Sequence, residues 1–219
     1  MNFFDDTSVV CLCCDTRTRR TDIAVRYDDA GICSKCYKKL VAIPYDSPFE
    51  GRRNTDFVLS PFYYNRTMKS LIHKYKFYDC TRLGDIFSIM LLEFLKNHPV
   101  INEFDFICAM PLSYKKMLKR GYNQSEILAL MLCEKLNIPY VQCVYRKNDT
   151  QTQSTLSGFQ RRINTKDAFI ADKSRCFGKS ILLFDDVYTT GSTMDSCARE
   201  LKNKGAKRVV GISLAITRK

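Results

Sequence analysis

The segment Ile181-Leu182-Leu183-Phe184-Asp185-Asp186-Val187-Tyr188-Thr189-Thr190-Gly191-Ser192-Thr193 constrains this chain more than any other. Its apolar start, Ile181 to Phe184, reads as a buried strand that delivers two adjacent carboxylates, Asp185 and Asp186, at its C-terminal end. A loop of hydroxyl residues with one glycine follows. Met194, Cys197, Ala198 and Leu201 then mark the buried side of a helix over Ser192 to Lys204, with Gly205 as its stop. Open α/β sheets bind ligands at this edge. Thr189, Thr190, Gly191, Ser192 and Thr193 can aim backbone N–H groups and hydroxyls at a phosphate, helped by the positive end of the helix dipole. Gly191 permits a tight turn and close approach to the ligand. Paired carboxylates accept hydrogen bonds from neighbouring sugar hydroxyls. Neither Gly-x-x-x-x-Gly-Lys-[Ser/Thr] nor Gly-x-Gly-x-x-Gly occurs, so a sugar 5-phosphate suits the segment better than a nucleoside triphosphate. The alternative is that Ser192 only caps the helix, with Asp195 completing a capping box and the aspartates serving as loop acids.

The surrounding pattern predicts a largely parallel α/β domain. Strands are expected over Asp56 to Tyr63 (with Pro61 near the end), Phe104 to Met110, Tyr140 to Arg146 and Arg208 to Ile216. Met68, Leu71, Ile72 and Tyr75 place a helix over Arg66 to Tyr78, and a second runs from Arg82 to Lys96. Asn123 with Glu126 signals another helix start, followed by Ile127, Leu128 and Met131. The polar stretch Lys147 to Asn164 is a candidate mobile loop.

Eleven cysteines are present. Without a secretory signal they suggest reduced thiols and metal binding rather than disulfides. Cys108, Cys133 and Cys197 sit in apolar patterns and read as small core residues. Cys11-x-x-Cys14 and Cys33-x-x-Cys36 form a four-cysteine zinc pattern, in which each pair grips one side of a tetrahedral ion. Cys13 is an alternative to Cys11 or Cys14. Residues 1–42 are therefore expected to form a zinc-binding module, 43–55 a linker broken by Pro44 and Pro48, and 56–219 the α/β domain. Arg17, Arg19, Arg20 and Arg26 lie between the cysteine pairs, and the module either docks DNA or packs against the main domain. His73 and His98 lack a partner in any recognised catalytic pattern and read as surface or helix-end residues.

The strand-loop-helix segment resembles the ribose-phosphate-binding signature of type I phosphoribosyltransferases. Arg120-Gly121-Tyr122-Asn123-Gln124 is similar to the Arg-Gly-Phe-Asn-Gln element of the ComF family, with Tyr122 in place of Phe. Gln153, Leu156, Arg161, Asn164 and Phe169 fall at that family's spacing. Tyr64 to Lys76 resembles its first helix, and a four-cysteine module in front is typical of it. Ala109-Met110-Pro111 stands where many relatives read Pro-Val-Pro. The resemblance implies a type I phosphoribosyltransferase-like fold, with Asp185 and Asp186 on the ribose hydroxyls, Thr189 to Thr193 on the 5-phosphate, and magnesium carried in on the diphosphate of 5-phosphoribosyl 1-diphosphate. It also places Pro111 to Gln124 near the diphosphate. Lys115, Lys116, Lys119 and Arg120 offer charge there, and Arg120 is the strongest candidate because a planar guanidinium matches phosphate bidentately. Thr150 to Asn164 matches the loop that covers the reacting centre. In it Arg161 is a candidate for stabilising departing diphosphate, with a nucleic-acid contact or an internal salt bridge as alternatives.

The formal net charge of +12 favours anionic partners. The ComF resemblance implies a role in natural transformation: handling incoming single-stranded DNA in the cytoplasm, at the inner face of the membrane beside the import channel or with recombination proteins. The alternative is a metabolic phosphoribosyltransferase of nucleotide or base salvage. No run approaches the roughly 18 to 20 apolar residues of a membrane helix. The acidic Met1 to Asp6 lacks the regions of a signal peptide, so the expectation is a soluble cytoplasmic protein with at most peripheral membrane association.

Overall fold

A computed structural model describes residues 8–77, 81–96, 98–146 and 168–218. The N-terminal part forms a four-stranded sheet of order β2-β1-β4-β3, from β1 (Ser8–Cys11), β2 (Arg17–Arg19), β3 (Ile23–Tyr27) and β4 (Ala30–Cys33), followed by the short helix α1 (Ser34–Tyr37). β1 and β4 run parallel, with Cys11 opposite Gly31. A side chain at Gly31 would meet Val25 O at 2.5 Å, so glycine lets β3 fold onto β4.

The main sheet has the path β5-β6-β12-β11-β8. Its strands are β5 (Phe49–Glu50), β6 (Phe57–Leu59), β8 (Phe106–Ala109), β11 (Ser180–Tyr188) and β12 (Arg208–Ile216), with β7 (Phe62–Tyr63) also pairing β12. All these pairings are parallel except the β5–β6 edge. The expected strand over Asp56 to Tyr63 is therefore two short strands, both on β12. They part at Ser60 and Pro61, because proline has no N–H for the ladder. Of the expected strand Tyr140 to Arg146, only β9 (Val144–Arg146) is regular. It pairs antiparallel with β10 (Phe169–Ala171), while Tyr140 makes a lone bridge to Ile107.

Helices α2 (Arg66–Phe77), α3 (Thr81–Lys96) and α5 (Gln124–Leu136) cover one face and pack on Leu182, Phe184, Val210 and Ile212. The helix over Ser192–Asn203, here α7, covers the other through Met194, Cys197, Ala198 and Leu201, beside the β9–β10 ribbon. Two further helices are α4 (Tyr114–Arg120), which the sequence reading did not separate from its basic surroundings, and α6 (Lys173–Cys176). α7 ends as expected: Gly205 has φ 90°, its N–H meets Lys202 O at 2.9 Å, and Ala206 N–H meets Leu201 O at 3.0 Å. Cys108, Cys133 and Cys197 are buried. His98 is buried too, which leaves the helix-end reading and not the surface one: it caps a 3-10 turn, where its Nδ1 accepts from the Val100 N–H. No helix among the described residues is long and apolar enough to cross a membrane.

The N-terminal sheet is fastened to the main sheet's helices. Val25, Ile32, Cys33, Cys36 and Leu40 share a buried cluster with α2 and α3. Lys74 Nζ donates to Leu12 O at 3.1 Å and to both carboxylate oxygens of Asp15 at 2.9 and 2.8 Å. The expected choice between packing and DNA docking is thus not exclusive: the module packs here, while Arg17, Arg19 and Arg26 stay exposed.

Phe184 is fully buried between β11 and the helices. Phe184→Ala is expected to cost about 3 to 5 kcal/mol, read as a lower urea midpoint with an unchanged slope.

Candidate functional site

β11 runs through the aspartates to Tyr188, further than the apolar run alone suggested. Side chains normally alternate between the faces of a strand, so adjacent carboxylates should point apart. Here the alternation inverts across the pair. Leu182 and Phe184 face the α2–α3–α5 side, and Ile181 and Leu183 the α7 side. After the aspartates, Val187 takes the first side and Tyr188 the second. Both carboxylates consequently reach partners from the same layer. Asp185 Oδ1 accepts from Ser125 Oγ at 3.2 Å and from the Asp186 N–H at 2.9 Å. Asp186 forms an ion pair with Lys76 at the end of α2.

Burial, and then the neighbouring Asp186 charge, push the Asp185 carboxyl up to about 7, against the pull of the Asp186 amide, Lys76 and Ser125. Asp186 also raises the Tyr64 phenol, after the larger effect of burial.

Arg120 to Gln124 forms the joint between two helices, and Arg120, Gly121, Asn123 and Gln124 each have a local task. Arg120 closes α4, and Gly121 caps it at φ 78°. Asn123 caps α5 by accepting from the Ser125 N–H, as its sequence signal indicated, and its Nδ2 donates to Met110 O at 3.1 Å. Arg120 donates to Gln124 Oε1 at 3.1 Å. Gln124 Nε2 is buried and has no hydrogen-bond partner among the described residues, a donor left available to an acceptor. Of the four basic residues expected near this site, Lys116 and Arg120 line the cleft. Lys119 lies over the Phe77 ring, as Arg120 also does.

At the other side, Thr189 to Thr193 turns into α7. Gly191 occupies the N-cap position at φ 72°, where a Cβ would fall 2.0 Å from Tyr188 Oη. The capping box alternative is not formed. Ser192 pairs its hydroxyl with Thr190 at 2.9 Å, and Asp195 instead accepts from Asn54.

These elements enclose a cleft of about 320 Å³. It brings together Arg120, Asp185, Asp186, Thr189 and Thr193, with the N-termini of α5 and α7 opening on it. Thr190, Gly191 and Ser192 complete the adjoining loop. Arg161, Gln153, Leu156 and Asn164 lie outside the described residues. Phe169 is buried in β10 beneath the Arg146 guanidinium, 5.0 Å from the ring centroid. Sequence reasoning missed Lys76, Ser125 and Arg146 as cleft residues. In the sequence Lys76 reads only as the end of a helix, and nothing local relates it to Asp186.

Outside the residues that line the cleft, the sulfurs of Cys11, Cys14, Cys33 and Cys36 lie within 4.8 Å of one another, and Cys13 is outside that group. A tetrahedral thiolate zinc site with arms of about 2.3 Å has edges of about 3.8 Å, so a small contraction suffices for the four to hold a metal. The Cys33 N–H already donates to Cys11 Sγ at 3.3 Å. A hydrogen bond from Thr16 holds the Cys14 thiol down at about 6, and burial raises Cys36.

Residues 118–219 match the family model described as Phosphoribosyl transferase domain. Together with the sheet, its helices and the four-cysteine cluster, this defines a type I phosphoribosyltransferase-like protein with an N-terminal four-cysteine module. Competence protein ComFC of Streptococcus pneumoniae (strain ATCC BAA-255 / R6) is 32% identical over 153 residues, covering 70% of this chain and 65% of that one. Competence protein F of Haemophilus influenzae is 26% identical over 200 residues, covering 82% and 87%. DNA utilization protein YhgH of Escherichia coli O157:H7 is 33% identical over 150 residues, covering 67% and 66%. The matches thus span just under two thirds of the first and third relatives. Together with the phosphoribosyl transferase domain match, these similarities support a ComF-family protein.

The raised Asp185 predicts a pH dependence. An aspartate near 3.9 when unfolded and about 7 when folded contributes stability that is complete below the unfolded value and lost as pH rises through the folded one. Asp185→Asn is therefore expected to raise the thermal midpoint more at pH 8 than at pH 5. An equal effect at both would exclude the shift.

Proposed function

We propose that this protein binds 5-phosphoribosyl 1-diphosphate or a related ribose phosphate in the cleft, and handles incoming single-stranded DNA during natural transformation. The convergence of the acidic pair, the Thr189 to Thr193 loop and the cationic wall on one cleft carries the ligand reading. Thr189 to Thr193 and the α7 N-terminus hold the 5-phosphate. Asp185 and Asp186 accept from the ribose hydroxyls. Arg120 and Lys116 face the diphosphate, where a fork-shaped guanidinium pairs two oxygens at once. Magnesium on the diphosphate would offset its charge beside the two carboxylates. In a transferase reading, Arg161 would stabilise the departing diphosphate.

The names of the competence and DNA utilization relatives support a competence-related role. The net charge of +12 supports sequence-independent affinity for a phosphate backbone, with import and recombination proteins as natural neighbours. Cytoplasmic placement, at the inner face of the membrane, goes with that role. Metabolic salvage would need an acceptor-base pocket beside the donor site. The four-cysteine cluster is assigned to structural zinc, consistent with the place of Cys11, Cys33 and Cys36 in the shared core.

Zinc analysis is expected to give one ion per chain, and Cys33→Ser to lower both zinc content and thermal stability more than Cys13→Ser. Equal losses would reopen the ligand set.

Asp185→Ala with Asp186→Ala is expected to weaken 5-phosphoribosyl 1-diphosphate binding about a hundredfold by calorimetry with magnesium, since charge-assisted hydrogen bonds contribute about 1.5 to 3 kcal/mol each. Affinity for single-stranded DNA should be unchanged and should fall steeply with salt. Asp186→Asn is the milder variant if the double change unfolds the chain. Unchanged ligand affinity in a folded variant would remove the site assignment. Binding insensitive to salt would remove the charge argument for DNA.

A further inference from the structure

Thr189 to Thr193 contains no cationic residue, so a phosphate held there draws its countercharge from another part of the fold. Arg146, the last residue of β9, is placed to supply it. It lines the cleft together with Thr193. The same two residues also line a second cavity of about 180 Å³, whose other walls are Ala168, Phe169, Ser192 and Ser196. Two side chains that face both cavities form the partition between them. The Arg146 guanidinium therefore stands beside the residue that ends the phosphate loop.

That guanidinium is held from two directions. β9 pairs antiparallel with β10, with Arg146 opposite Phe169. The Phe169 ring, itself buried, lies 5.0 Å from the guanidinium carbon. From the other side, Nε donates to Pro111 O at 3.1 Å. A guanidinium carries its five N–H donors in one fixed plane. Here the ring sets that plane and Pro111 takes the Nε donor, which leaves the Nη edge to grip an anion with two parallel hydrogen bonds. A solvated surface arginine would gain little from such fixing, because ordering a long side chain costs entropy.

We propose that Arg146 is a ligand-contacting residue, the counter-ion of the phosphate on Thr189 to Thr193, and that Phe169 is its positioning residue. This rests on the ribose-phosphate reading of the cleft. It adds to that reading a cation from outside both the strand-loop-helix segment and the Arg120 to Gln124 joint, delivered by the antiparallel ribbon. It also gives the buried Phe169 ring a physical task beyond filling space.

The test is calorimetry of the full chain with ribose 5-phosphate, and separately with magnesium pyrophosphate, which lacks the sugar phosphate. Arg146→Ala is expected to weaken ribose 5-phosphate about ten- to a hundredfold, as loss of one charge-assisted pair does, and pyrophosphate far less. Arg146→Gln keeps an N–H donor for Pro111 O without the charge, serves if the alanine variant does not fold, and should lose as much. Arg146→Lys restores the charge without the fork and should recover part of the loss. Phe169→Leu should weaken ribose 5-phosphate less than Arg146→Ala, and should add nothing in the Arg146→Ala background, a non-additivity that a purely structural role would not produce. If the unaltered protein binds ribose 5-phosphate and the folded Arg146→Ala or Arg146→Gln variant binds it equally, the role of Arg146 is overturned and the cleft reading stands. A loss for pyrophosphate as large as that for ribose 5-phosphate would overturn the assignment to this phosphate, in favour of an effect through the Pro111 segment. Additive losses would overturn the positioning role of Phe169. No binding by the unaltered protein would overturn the cleft reading and, with it, this one.

Discussion

Two carboxylates held side by side at the end of a buried strand are costly, because each disfavours the charge of the other and burial disfavours both. β11 lies between β12 and β8 with parallel neighbours on both sides, so its exit point is set by the core and not by solvent. The inversion of side-chain alternation at Asp185 and Asp186 turns both acids toward one layer. Lys76 from α2, Ser125 from α5 and the positive end of α5 meet them there. The division of charge between them follows: one acid is paired with a cation, and the other is pushed toward neutrality. A ligand that brings hydroxyl donors and its own cation satisfies groups that the protein alone only half satisfies.

The last turn of α2 ties this arrangement to the N-terminal module. Lys74 grips the Leu12 carbonyl and Asp15 beside the cysteine knuckle, and two residues on Lys76 reaches Asp186. Residues two apart on a helix face different directions, so one turn of α2 stands between the two sites. Arg82 at the start of α3 adds a contact to Asp29 at 2.8 Å. That pair is exposed and contributes little on its own. The shared apolar cluster is the larger attachment. The module and the sheet therefore form one packed body through α2 and α3, and the geometry of the cleft includes the packing of the cysteine knuckle.

What the sequence alone determined rests on local physics. Helix boundaries at Arg66 and Asn123 and the stop at Gly205 follow from apolar spacing and capping chemistry, which act within a few residues. The acidic pair, the Thr189 to Thr193 loop and the spacing of Cys11, Cys14, Cys33 and Cys36 are contiguous or nearly so, and their chemistry is visible without a fold. Tertiary structure decided the rest, because the remaining contacts join positions far apart in the chain. Strand pairing placed Phe57 to Tyr63 along β12 in two pieces. The break in alternation at Asp185 depends on neighbouring strands and helices, and ideal strand periodicity would have sent the two acids apart. Lys76 meets Asp186, and Asn54 captures Asp195 from the position a capping box would have used, only once α2 and the chain before β6 have packed. Hydrogen bonds and charges act over a few ångströms, so their partners are set by the fold and not by distance along the sequence.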